Sequence, residues 1–271
     1  MPKVFLVTGT STGFGHDLIQ EVLNRGDIAI ATARNPASLK FENIKEDNYF
    51  TLALDVTRPE SIKGAFSQAV ERFGRIDVVV NNAGYGLTGC FEEYTDEQIR
   101  TQMEVNFFGL VNVTREAMAT MRAQEPSGGV IQQVTSVGGQ RGAACFSLYA
   151  ASKWAVEGFT ESLSKEVKPE WGIKFTCVEP GGFRTDWAGR SMAFTDRHSA
   201  YDHMDAKGLM MARNGTQPEG CEGLYDLAMM EKPPLRILLG TDAYPAILAR
   251  LDEERQNFIK YEKLSLSTDV D

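Results

Sequence analysis

Cysteine is scarce in this chain and histidine scarcer, and the few of each stand apart. Cys90, Cys145, Cys177 and Cys221 form no C-x-x-C pair and have no histidine set nearby. That spacing suggests neither a zinc site nor a disulfide framework, and the four read as reduced, intracellular thiols. Positive charge is also in deficit: 28 Lys and Arg stand against 37 Asp and Glu, a net charge of -9. Such a surface opposes attraction to nucleic acid or to an anionic membrane. No apolar run reaches the roughly 18 residues of a spanning helix, and Met1-Pro2-Lys3 leads straight into a strand-like run with no signal-peptide pattern. A cytoplasmic protein is expected. Repeats, low-complexity tracts and Pro/Ser-rich linkers are missing too. The 271 residues therefore read as one domain, 1–271, long enough to bury a full core.

What is present is an alternation of short β-branched runs with longer helical patterns. Strands are expected at Val4-Thr8, Ile28-Ala33, Phe50-Leu54, Ile76-Asn81, Val130-Ser136, Ile173-Val178 and Leu235-Leu239, and helices near 14–25, 59–73, 95–124, 147–168, 217–230 and 242–262. This pattern predicts an α/β fold: a single doubly wound Rossmann-type domain with a seven-stranded parallel sheet and helices on both faces. Two segments break the rhythm. Residues 186–216 show no clear strand or long helix yet carry Trp187, Met192, Phe194, Tyr201, Met204, Met210 and Met211, which suits a functional loop. The C-terminal extension, about 242–271, holds an amphipathic pattern in Ile247, Leu248, Leu251 and Phe258, able to pack on its own core or on another subunit.

Thr8-Gly9-Thr10-Ser11-Thr12-Gly13-Phe14-Gly15 follows the apolar run Val4-Phe5-Leu6-Val7, so three glycines fall where a strand hands over to a helix. A glycine turn lets backbone approach a pyrophosphate, and the following helix offers unpaired N–H groups and the positive end of its dipole. The end of the second strand reads Ile30-Ala31-Thr32-Ala33-Arg34-Asn35, with no carboxylate for a ribose 2′-hydroxyl. Arg34 can instead grip a 2′-phosphate with a planar fork of donors, which predicts NADP over NAD.

Tyr149 and Lys153 are four residues apart, so on a helix they share one face. Alone, such a pair is ordinary. Ser136 adds weight because it ends a predicted strand at the carboxyl edge, where open parallel sheets bind ligands. Asn106, flanked by apolar residues in a helical pattern, reads as a hydrogen-bonded packing residue or as a fourth member of a site. An ammonium about 5 Å from a phenol, at an effective dielectric near 20, favours the phenolate by about 3 kcal/mol, or about two pKa units. Tyr149 is thus expected to titrate near neutrality.

Together with Asp55-Val56, Asn81-Asn82-Ala83-Gly84 and Pro180-Gly181 followed by Thr185, these positions resemble the short-chain dehydrogenase/reductase family, in its branch of about 250 residues with a T-G-x-x-x-G-x-G loop. The resemblance covers nearly the whole chain. It implies an NADP-dependent oxidoreductase in which Ser136 hydrogen-bonds the substrate oxygen, Tyr149 moves its proton, Lys153 supports Tyr149 and holds the nicotinamide ribose, and Asn106 holds a relay water. It also implies no metal, and cofactor contacts from Gly9, Ser11, Thr12, Gly13, Phe14, Gly15, Arg34, Asp55, Val56, Asn82, Ala83, Gly84, Tyr149, Lys153, Pro180, Gly181, Phe183 and Thr185. In such relatives 186–216 is the substrate lid, and the helices near 95–124 and 147–168 build a homodimer or homotetramer. The lid's aromatic and Met content suits a lipophilic or aromatic ketone or secondary alcohol, although the same residues could simply dock the loop. His198 and His203 read as loop polar residues. Two alternatives stand: a catalytically idle NADP-binding redox sensor or regulator, and the same fold performing epimerisation or dehydration.

Overall fold

The structure, a computed structural model, describes residues 1–183, 189, 191–213 and 221–268. Its elements run β1 (Val4–Thr8), α1 (Gly13–Asn24), β2 (Ile28–Ala33), β3 (Tyr49–Ala53), α2 (Pro59–Phe73), β4 (Val78–Asn81), β5 (Gly86–Thr88), α3 (Asp96–Met103), α4 (Leu110–Ala123), β6 (Gly129–Val134), α5 (Ser147–Glu166), β7 (Ile173–Pro180), β8 (Met192–Phe194), α6 (Ala206–Arg213), α7 (Cys221–Met229), β9 (Arg236–Leu239) and α8 (Ala243–Lys260). The main sheet is parallel throughout, in the order β3-β2-β1-β4-β6-β7-β9.

Period-two alternation explains how one sheet buries two faces. In β1, Val4 and Leu6 enter one core with Ile62 and Phe66 of α2 and Val113 and Met121 of α4. Phe5 and Val7 point the other way, against Leu18 and Ile19 of α1 and Leu224 and Leu227 of α7. Helix α2 shows local start and stop signals: Pro59 sits in its first turn, and Gly74 ends it at φ 77°, a left-handed conformation glycine adopts without cost. The strand order reverses between β1 and β4. Their carboxyl ends diverge there and open the crevice in which such sheets receive ligands.

Two expected helical and strand boundaries change in ways that matter. The helix expected over 95–124 is interrupted by a π-helical turn at Glu104–Gly109 between α3 and α4. The strand expected to end on Ser136 stops at Val134, which leaves Ser136 in the turn beyond it. The described part of 186–216 is more regular than its sequence pattern suggests. It contains β8, which pairs with β5 as a second, two-stranded parallel sheet, and the eight-residue α6. A three-residue strand is too short to show periodicity, so pairing across 106 residues (Gly86 with Met192) is invisible in the sequence. In α8 only part of the expected apolar face is covered: Ile247 is buried, whereas Leu248, Leu251 and Phe258 are exposed.

Candidate active site

The crevice begins with the glycine loop. Gly9 has φ +70° and Gly13 φ 59°, conformations that L side chains rarely adopt. The loop is shaped from behind by the turn after β4: Asn82 Nδ2 donates to the carbonyls of Thr8 and Gly9, at 2.9 Å each, while Thr8 Oγ1 accepts the amides of Asn82 and Ala83, at 3.0 Å each. Asn81, one residue earlier and buried, ties β4 to Thr114 of α4 and Gln133 of β6. A Cβ on Gly15 would collide with the Asn82 side chain and the Gly9 carbonyl. Gly15→Ala is therefore expected to distort the loop and weaken dinucleotide binding at least tenfold, measurable by NADPH fluorescence titration. Helix α1 starts with Thr12 as N-cap and no side-chain cap bond, so its first amides stay available to a phosphate. These features fit a dinucleotide.

Arg34 stands exposed just past β2. It lies near Asp55, whose carboxyl burial would raise; the Thr57 hydroxyl and amide, with Arg34 and Arg58, outweigh that and hold it below its usual value. One Asp55 oxygen is thus already used by Thr57. Val56, expected beside a ring, is buried in the core against Gly109.

Beyond β6, the Ser136 hydroxyl accepts the Gly138 amide at 3.0 Å and is also a hydrogen-bond partner of the Tyr149 phenol. Ser136 and Tyr149 therefore share one site. Lys153, one helical turn on, is buried; its Nζ lies 5.7 Å from the Tyr149 ring centre and donates to the Val134 carbonyl at 2.8 Å. Burial pushes the Tyr149 phenol up to about 12, opposed by the Ser136 bond, and pulls the Lys153 ammonium down to about 8, opposed by Glu157. The expected near-neutral phenol is thus reversed here. Lys153 spends its hydrogen bond on a carbonyl, and desolvation, which disfavours both ions, outweighs their attraction.

Asn106 sits inside the π-helical turn. Its Oδ1 accepts the Tyr85 amide at 3.0 Å, and its Nδ2 donates to the Tyr85 carbonyl at 2.9 Å and to Ser152 Oγ at 3.2 Å, beside Lys153. These bonds bear out the reading of Asn106 as a hydrogen-bonded packing residue. At the end of β7, Gly181 bonds the Leu239 carbonyl, Gly182 donates to Asp242 Oδ2 at 2.7 Å, and the Phe183 ring meets Phe14 edge-on at 5.1 Å. Thr185, expected to bind the carboxamide, lies outside the described residues, as does Trp187.

Over Tyr149 stands an apolar wall that no sequence motif marks: Cys90, Cys145, Phe146, Met192 and Met210 are buried together, with Tyr201 and Met204 against them. Glu93 fastens the segment after β8 to this wall, accepting from the Cys90 amide, Thr195 Oγ1 and the His198 amide at 2.7, 3.0 and 3.2 Å. His198 in turn accepts the Ala200 amide, and His203 stacks on Tyr201, consistent with loop roles for both. Asp242 and Glu93 escaped the sequence reading: Glu93 closes a capping box on Cys90, whose thiol is not a usual N-cap group, and Asp242 meets Gly182 across 60 residues.

The model of a family described as short chain dehydrogenase matches residues 3–195. The chain belongs to the short-chain dehydrogenase family. Members of this family are oxidoreductases that use nicotinamide cofactors. This short-chain dehydrogenase is similar to an uncharacterised oxidoreductase of Schizosaccharomyces pombe, 40% identical over 248 residues that cover 89% of this chain and 83% of the relative. It also resembles a protein of Bacteroides thetaiotaomicron named 3-ketodihydrosphingosine reductase, 35% identical over 88% of each chain. A crystal structure of a short-chain dehydrogenase from Streptomyces avermitilis superposes with a TM-score of 0.89 at 36% identity, covering 100% of both chains.

Proposed function

We propose that the chain is an NADP-dependent oxidoreductase that interconverts a lipophilic or aromatic ketone and its secondary alcohol. The observation that carries this reading is the Ser136–Tyr149 hydroxyl pair beside the buried Lys153, set under an apolar wall. When bound, the nicotinamide supplies or accepts the hydride. The glycine loop and the α1 amides hold the phosphates, Arg34 the 2′-phosphate, Asp55 and the Asn82-Ala83-Gly84 turn the adenosine half, and Lys153 with the Pro180–Phe183 loop and Thr185 the nicotinamide half.

Ser136 orients the substrate oxygen and Tyr149 gives it a proton as negative charge develops. A phenol near 12 keeps its proton at neutral pH and so is set to donate it in the reductive direction. The name of the Bacteroides relative, a keto-compound reductase, supports the same direction. Cys90, Phe146, Met192 and Met210 form the wall against which an apolar substrate chain would lie. The intact hydroxyl pair and lysine favour catalysis over an idle redox sensor. A panel of carbonyl compounds assayed with NADPH tests the reading: turnover concentrated among lipophilic and aromatic ketones supports it. Tight NADPH binding with no turnover across the panel would establish the sensor instead.

We also infer a homodimer or homotetramer built through α4 and α5. Phe108, in the π-helical turn that leads into α4, and Trp154 of α5 are 49% and 45% exposed, large apolar surfaces a second copy would cover. Light scattering decides it. No described helix is long and apolar enough to cross a membrane.

A further inference from the structure

Behind the hydroxyl pair lies a cluster of buried carboxyls that the proposed reaction does not use. Glu157, on α5 one turn after Lys153, is 4% exposed, and Glu179, the residue before Pro180-Gly181, is fully buried. Thr135 Oγ1 donates to Glu157 Oε1 at 2.6 Å, and Arg236 of β9 bonds Glu157 Oε2 at 2.9 Å and Glu161 at 2.8 Å. Gln140, in the turn that carries Ser136, donates to Glu179 Oε2 at 2.5 Å. The other Glu179 oxygen, Oε1, is buried with no hydrogen-bond partner among the described residues, and Arg236 Nε is 3.9 Å away. Arg236 Nε thus approaches both carboxyls, 2.9 Å from Glu157 Oε2 and 3.9 Å from Glu179 Oε1.

A buried carboxylate oxygen without a donor is costly, and two carboxylates in contact repel. One proton between them removes both costs. We propose that Glu157 and Glu179 share a proton behind Tyr149 and Lys153 and act as positioning residues, Glu157 holding Lys153 as a cation and Glu179 locking the Ser136 turn to the Pro180–Gly181 loop. The titratable and charged groups facing the pair are Lys153 and Glu161 of α5, Cys177 of β7 and Arg236 of β9, with Thr135 and Gln140 as uncharged partners. Burial first, and then the Glu157 charge, raise the Glu179 carboxyl to about 7, in agreement with a proton held there near neutrality. Glu157 opposes the burial that depresses Lys153. Only the kinetic arm of the proposal rests on the oxidoreductase reading.

Thermal unfolding of the full chain, wild type and Glu179→Gln, between pH 5 and pH 8 tests the shared proton. Glu179 holds a proton more tightly folded than unfolded, so its contribution to stability is complete below about pH 4.5 and is lost as pH rises through about 7. Glutamine mimics the protonated acid, with an amide toward Glu157 and an oxygen toward Gln140. The Tm of Glu179→Gln relative to wild type is therefore expected to climb from pH 5 to pH 8; a difference that stays constant across that range overturns the shared proton. For Glu157→Gln the alkaline limb of kcat/KM with NADPH is expected to move down by about one pH unit as Lys153 loses its nearby anion. An unmoved limb overturns the role assigned to Glu157. Should no carbonyl turn over, the same displacement is read in the pH dependence of NADPH binding, and the unfolding arm is unaffected.

Discussion

Replacing Tyr149 with phenylalanine is expected to lower kcat/KM for ketone reduction by about 10²–10⁴-fold, the usual contribution of a placed proton donor. The ring is kept, and with it the contacts to Phe146 and Gly138 that seat it. NADPH binding, read by fluorescence, should change only a few-fold, because the role proposed for Tyr149 is at the substrate oxygen. Ser136 retains its Gly138 bond and can still orient a carbonyl, so residual turnover is expected. Unchanged kcat/KM would remove Tyr149 as the acid.

The pH dependence follows from the neighbouring lysine. Its ammonium is depressed from 10.5 to about 8, so the cation disappears as pH rises through about 8, and an alkaline limb is expected there. For stability the sign is opposite. Folding penalises the charge, fully so below pH 8, and the penalty fades between 8 and 10.5 as the unfolded chain also loses the proton.

Arg34→Asp is expected to invert cofactor preference. The substitution removes charge-assisted bonds to a 2′-phosphate and places a repelling carboxylate there, a loss of about 3 kcal/mol or roughly 10²-fold in NADPH affinity. NADH should gain, since a carboxylate at this position accepts from the ribose 2′-hydroxyl. The exposed position of Arg34 makes the change tolerable to the fold. Steady-state kinetics with both cofactors give the ratio, and a wild type that used NADH as efficiently as NADPH would contradict the assignment.

The legible parts of this protein were those written in local pattern. Val4-Phe5-Leu6-Val7 buries both faces of a strand, Gly9 and Gly13 need positive φ, and Pro59 with Gly74 bracket a helix; each signal sits within a few residues. Tyr149 and Lys153 were readable as a pair because a helix puts i and i+4 on one face. Other features depended on residues far apart. Cys90 and Cys145 meet at 3.8 Å across 55 residues, Tyr201 reaches Glu92 across 109, and Glu179 finds Gln140 across 39. The short strand β8 exists because β5 receives it.

The amino-acid order alone determined the alternating strand and helix architecture, the glycine loop and which side chains are chemically able to move a proton, since periodicity, backbone conformation and functional groups are properties of neighbouring residues. Tertiary structure alone decided that Ser136 and Tyr149 meet, that their surroundings are apolar, that Val56 turns into the core, and that burial pushes the phenol up. Ionisation depends on how much water and which charges remain around a group, and distant segments settle that only when they pack together.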